Sequence, residues 1–131
     1  WLAGESGTLL RGDGKKWRAL DVGAATKWLT RVAGRSADDV WAAGWGGVVV
    51  HWNGKTWTQL PAIAGHEKAD LRALRVGRDV AVAGPDFVAR WDGASWHVVA
   101  DHLDPVRDIV ITSDGEVWIA TETGILFRQR E

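Results

Sequence analysis

Apolar and polar positions along this chain fall into short runs broken by glycine, and no stretch repeats at helical spacing. From Asp38 to Leu60 the chain reads DDVWAAGWGGVVVHWNGKTWTQL: three apolar or aromatic runs, each bounded by Gly, Asn or Asp. Runs of this length, rich in Val, Thr and Trp and closed by turn residues, predict antiparallel strands. Asn53-Gly54 predicts a two-residue hairpin link with positive φ at both central positions, a conformation that Asn and Gly tolerate.

The stretch recurs. Asp13-Gly14, Asn53-Gly54 and Asp92-Gly93 are followed at one spacing by Trp17, Trp57 and Trp96, which sets a period of about 40 residues. Upstream, Trp1, Trp41 and Trp118 share a column with Ala81, and Trp52 and Trp91 share one with Gly12 and Gln129. Farther upstream, LTRVAGRSADDVW from Leu29 aligns with VRDIVITSDGEVW from Val106, and LRALRVGRDVA from Leu71 aligns after a two-residue deletion. Each unit therefore holds four strands, a to d, and the chain divides into 1–20 (strands b to d), 28–60, 71–99 and 106–128 (strands a to c), 14 strands in all. Four-stranded units at this period predict an all-β protein, a β-propeller segment of antiparallel blades spanning 1–131. A sandwich would not repeat internally, and a helical solenoid needs a 3.6-residue period. Small or β-branched residues at Thr30, Ala73 and Val106 suit strand a, next to the crowded axis.

DDVWAAGWGGVVVHWNGKTW resembles the bacterial propeller repeat DVWAVG-x-x-G-x-I-x-H-W-D-G-x-x-W, which occurs in tandem in secreted and surface proteins. TSDGEVWIATETGILF, from Thr112 to Phe127, is similar to the two-component-regulator propeller repeat with its DG-x-x-W-I-G-T-x-x-G-L core. These motifs specify turns and blade packing, so the resemblance implies a fold and an extracellular, cell-surface or periplasmic location rather than an activity. Ala81, Pro85 and Thr121 depart from the pattern and affect local geometry.

Composition narrows the functional classes. The 131 residues are 46% hydrophobic and 25% charged, enough to bury a core. A net charge of -1 with scattered basic residues excludes a nucleic-acid footprint. No apolar run approaches the roughly 18 residues of a membrane span. With no Cys there is neither a disulfide nor a thiolate metal site. Methionine is absent even at position 1, which predicts a processed or excised piece. The outer units hold three strands where the inner ones hold four, so the chain is expected to form part of a larger propeller, or several copies to close a ring together.

The d–a and b–c links share one rim of a propeller. That rim collects Trp45, His66, Glu67, Asp70, Asp86, Asp101, His102, Asp104 and Glu122. GHEKAD (65–70) and ADHLDP (100–105) occupy equivalent links, which can bring His66 and His102 together. Imidazole with carboxylate can hold a metal or act as acid and base, but no ligand spacing such as HExxH is present, so neither a metal site, a cofactor nor catalytic residues are expected. Trp45 stands outside the repeat columns, where other copies carry Glu5, Pro85 and Glu122, and an exposed Trp can stack on a sugar or anchor a protein. Trp28, also outside the columns, is expected to pack under the d–a link. His51 shares its column with Arg11, Arg90 and Arg128, which predicts a polar partner inside each blade.

The expected role is non-catalytic: a rim for protein contact, binding through Trp45, His66, Glu67, Asp86, Asp101, His102 and Glu122. The partner would be a separate protein, the remainder of the same propeller, or further copies of the chain. Carbohydrate binding through rim Trp and carboxylates is the alternative, and a propeller hydrolase or lyase the next.

Overall fold

The structure, a computed structural model, describes residues 1–20, 28–124 and 126–129. It is all-β, built from four antiparallel sheets that are propeller blades. The first holds β1 (Leu2–Ala3), β2 (Leu9–Gly12) and β3 (Trp17–Leu20). The second holds β4 (Leu29–Ser36), β5 (Asp39–Gly44), β6 (Val49–Trp52) and β7 (Trp57–Gln59). The third holds β8 (Ala73–Val76), β9 (Val80–Ala83), β10 (Val88–Trp91) and β11 (Trp96–Ala100). The fourth holds β12 (Val106–Ile111), β13 (Val117–Thr121) and β14 (Leu126–Gln129). Within each sheet the strands follow chain order, and the strand a elements β4, β8 and β12 lie beside one another.

The Asp-Gly and Asn-Gly links differ from the expected two-residue turn. Paired ends Gly12–Trp17, Trp52–Trp57 and Trp91–Trp96 leave four residues in each loop. Only the glycines take positive φ there (Gly14 92°, Gly54 96°, Gly93 101°); Asn53 does not. The side chain of the first residue does the work instead. Asn53 Oδ1 accepts the Lys55 and Thr56 N–H groups at 2.9 Å, Asp13 those of Lys15 and Lys16 at 2.8 Å, and Asp92 those of Ala94 and Ser95 at 2.7 Å. This loop length sets each following Trp opposite the preceding column. Where that column holds Gly12, a Cβ would lie 2.5 Å from the Trp17 ring, so the ring occupies the space left by the missing side chain.

The alternation within a strand divides its residues between two neighbouring blades. Trp41, Ala43 and Val49 pack against Leu74, Val80, Val82, Phe87 and Ala89 of the third blade. Ala42 and Val50, from the same two strands, turn the other way and join Leu9 of the first blade. In the third blade Ala81 and Ala83 meet Val117 and Ile119 of the fourth. Trp1, Trp41 and Ala81, three members of one column, thus each face the next blade. Trp41 is 4% exposed and Trp118, in the same column, 37%. Trp1 meets the second blade through Trp57 (5.5 Å between centroids) and Trp52 (6.0 Å).

Polar latches tie successive a–b hairpins. Asp39 Oδ1 accepts Trp41 Nε1 at 2.9 Å and pairs with His51 Nε2 at 2.7 Å, while Oδ2 takes Arg35 Nη1 at 2.7 Å. Arg35 Nε also donates to the Gly77 carbonyl of the third blade at 2.5 Å. One blade on, Asp79 pairs with Arg90, whose Nη1 donates to the Gly115 carbonyl of the fourth blade at 3.0 Å. His51 and Arg90 share a column, and each finds the polar partner that the repeat predicts, here the Asp of its own a–b hairpin, Asp39 and Asp79.

Candidate functional site

The rim is built by the backbone first. Trp45–Gly47 forms a tight 3-10 turn between β5 and β6, with Gly46 and Gly47 at φ 70° and 75°. A Cβ on Gly47 would lie 2.6 Å from the Glu67 carbonyl oxygen, so this turn seats directly on the 65–70 link. Gly46 N–H donates to Asp70 Oδ1 at 2.9 Å. Trp45 N–H donates to the Trp28 carbonyl at 2.9 Å, and Glu122 N–H makes the equivalent bond to Pro105 at 2.8 Å. The bond needs only the backbone, which leaves the side chain at this position open to choice. In this blade it is Trp45, 43% exposed, edge-to-face with Trp28, 40% exposed, at 4.9 Å between centroids. Trp28 forms half of this exposed aromatic pair; its expected packing under the d–a link falls on residues 21–27, outside the described residues.

Beside Trp45, the starts of the three inner strands enclose an open groove of about 350 Å³. Arg31, Arg72 and Arg107 line it, with Thr30 and Glu122. Arg107 Nη2 holds Glu122 Oε1 at 2.5 Å. Glu122 is thus a groove residue whose charge is already paired.

A second group forms where the 65–70 link, the b–c link of the third blade and the 101–105 link converge. His66, Asp86 and Asp101 present ligand-type atoms within 4.8 Å of one another. The His66 ring lies on the buried Phe87 ring, 3.8 Å between centroids and 14° from parallel, with Nε2 3.3 Å from Asp101 Oδ2. Backbone bonds hold each loop: His66 N–H to Ile63 O at 2.9 Å, and Leu103 N–H to Asp86 O at 2.9 Å. The His102 N–H donates to Asp101 Oδ1 at 2.8 Å. That bond, with the His66 ring, holds the Asp101 carboxyl below its ordinary range against the smaller opposing effect of desolvation.

The remaining expected site residues separate. His102 contributes its backbone N–H to Asp101 and takes φ 52°, while its side chain stays outside the His66 group. Glu67 folds back on its own loop, accepting the Gly65 N–H at 3.0 Å, and its own and the Gly65 backbone N–H groups lower its pKa. Asp104 accepts Thr123 Oγ1 at 3.3 Å. Sequence reasoning overlooked Phe87, the platform beneath His66, and Arg31, Arg72 and Arg107 in the groove. Phe87 reads as one more apolar strand residue, and only packing places its face under an imidazole.

Among the described residues no helix is long and apolar enough to cross a membrane. No protein-family model matches the chain, and no curated protein matches it. Solved structures do. The extracellular domain of BT4673 from B. thetaiotaomicron aligns over 91% of this chain and 18% of its own, with 10% identity and a TM-score of 0.68. YCF48 bound to D1 peptide aligns over 79% of this chain and 36% of its own, with 16% identity and a TM-score of 0.65. The computationally designed Ika4 protein aligns over 78% of this chain and 65% of its own, with 17% identity and a TM-score of 0.61. The chain thus spans between 18% and 65% of these structures, and at such identities the likeness shows the fold alone: an all-β propeller segment of four-stranded antiparallel blades.

Proposed function

We propose that this chain is a binding segment of a bacterial propeller-repeat protein and that its rim, centred on Trp45 and Trp28, takes a protein partner. The observation that carries this reading is the exposed edge-to-face pair, which stands outside the three interblade cores and beside a groove bearing Arg31, Arg72 and Arg107. A rigid aromatic next to guanidinium groups is the composition of an interface hot spot. The likeness to YCF48, solved bound to D1 peptide, agrees with a peptide or protein ligand. Glu122 and Glu67 are engaged by Arg107 and by backbone N–H groups, which favours a structural over an acid–base role for both. The proposed role is non-catalytic.

The partner class includes further blades. Trp118 shares the column of Trp41, yet keeps 37% of its surface exposed, so the face beyond the fourth blade is suited to another blade of the same kind, from the same propeller or from another copy. An extracellular, surface or periplasmic location is proposed from the repeat resemblance, in line with the extracellular domain of BT4673.

The test is a displayed-peptide selection on the wild-type chain, with counter-selection on Trp45→Ala. Enrichment of peptides that bind the wild type at least about tenfold better, a difference of about 1.4 kcal/mol, supports the reading. Peptides that bind both equally overturn it. A glycan array run in parallel addresses the carbohydrate alternative, which the same exposed indoles favour: saccharide binding lost in Trp45→Ala would replace the protein reading.

A further inference from the structure

We propose that His66, Asp86 and Asp101 form a binding site for one divalent transition-metal ion of the Zn²⁺ class, clamping together three loops of the rim. The three residues come from the link between the second and third blades, the b–c link of the third blade, and the link between the third and fourth blades. Their ligand-type atoms lie within 4.8 Å of one another. In a tetrahedral zinc site, bonds of about 2.0–2.2 Å separate neighbouring ligand atoms by roughly 3.4 Å. His66 Nε2 and Asp101 Oδ2 already stand 3.3 Å apart, so the exposed Asp86 carboxylate is the arm that closes by rotation.

Charge and orientation point the same way. Among the described residues no Lys or Arg pairs with either carboxylate; the His66 ring faces them, and the His102 imidazole also acts on Asp101. Two carboxylates and a neutral imidazole sum to a charge of −2, which a divalent ion cancels. The imidazole selects among such ions: it suits Zn, Cu, Ni or Co, whereas Mg²⁺ and Ca²⁺ prefer all-oxygen sites. His66 is also held in place before any ion arrives. Its ring is stacked on Phe87 at 3.8 Å, and its side chain is 16% exposed, so Nε2 has little freedom to turn away. The stack restricts the tilt of the imidazole, so the ring is oriented by packing before an ion binds. Three protein ligands leave a fourth position for water or for a carboxylate or imidazole from a partner.

No motif announces this site, because His66 and Asp101 are 35 positions apart and Asp86 lies on neither of their loops. It shares no residue with the Trp28–Trp45 pair, so its failure would leave the proposed partner surface untouched.

The experiment is calorimetric titration of ZnCl2 into the tag-free chain, with circular dichroism on every variant. The expected result is saturable binding of one ion per chain, a thermal midpoint that rises with Zn²⁺, and Co²⁺ bound with the visible absorption of a tetrahedral site. Asp86→Asn, which leaves the His66–Phe87 stack in place, and Asp101→Asn should each weaken binding by at least about tenfold. His66→Gln should do the same, while His97→Ala, whose imidazole on β11 pairs with Asp92 away from this site, should bind as the wild type does. Absence of saturable binding up to millimolar Zn²⁺ overturns the proposal. So does undiminished binding in folded Asp86→Asn, or binding that is lost in His97→Ala.

Discussion

The Trp45 indole stands edge-on to that of Trp28, 4.9 Å between ring centroids, and the two residues are joined again through the bond from the Trp45 N–H to the Trp28 carbonyl. The backbone bond survives truncation of either ring. Trp45→Ala should therefore cost only about the worth of the aromatic pair, roughly 0.5–1.5 kcal/mol. The check is urea denaturation, alongside acrylamide quenching to confirm loss of an accessible indole. A cost above about 2 kcal/mol would mean that the ring holds blades together, which would remove the argument for a binding role.

Trp41→Ala is the internal comparison. This indole is buried between the second and third blades against Leu74, Val80 and Val82, with its Nε1 bound to Asp39. Its removal opens a cavity and orphans part of the Asp39 latch. A loss of about 3–5 kcal/mol is expected in the same denaturation experiment.

Asp39 should carry part of the acid sensitivity. Its partial burial acts to raise the carboxyl pKa, but hydrogen bonds from Arg35, His51 and Trp41 together outweigh that and lower it below 3.8. A carboxyl with a lowered folded-state pKa contributes stability that is present above its unfolded value, about 3.9, and is lost as pH falls through the folded value. Asp39→Asn should cost about 1–2 kcal/mol at pH 7 and flatten the loss of stability below about pH 4. Parallel pH curves for the variant and the wild type would remove Asp39 from the account.

Two glycines should respond in opposite ways. A Cβ at Gly44 would lie 1.9 Å from the Trp28 carbonyl oxygen and 2.8 Å from the Leu29 Cα, both backbone atoms at the start of β4. Gly44→Ala should cost at least about 1–3 kcal/mol, because the two blade elements must part. At Gly77 nothing lies within 4 Å of the added carbon. Gly77→Ala should be neutral or stabilise by up to about 1 kcal/mol through the unfolded chain. Thermal melts of the two variants decide this directly.

The blades were legible because their determinants are local and periodic. Strand alternation, Asp or Asn before Gly, and the Trp columns recur at one spacing, so the antiparallel four-stranded unit and a polar partner for the His51/Arg90 column are legible in the sequence. Turn detail was less accessible: Asn53-Gly54 marked a hairpin correctly, but the loop has four residues, because the Asn53 side chain caps two N–H groups in place of adopting positive φ. The Trp28–Trp45 pairing was out of reach for a related reason, since nothing in a linear sequence places one indole beside another.

Sequence alone determined that this chain forms four-stranded antiparallel blades, and the order of its links led to the expectation that Trp45, His66, Glu67, Asp86, Asp101, His102 and Glu122 lie on one rim. Only the tertiary structure decided how those residues divide. Blade packing brought His66 to Asp101 and Asp86 over Phe87, set Trp45 against Trp28, paired Glu122 with Arg107 and turned Glu67 back onto its own loop. The physical reason is range. A strand or turn is decided by neighbours a few positions away, whereas contacts between rim links depend on the angle and register at which whole blades stack, and that is set by interlocking apolar side chains from strands about 40 residues apart.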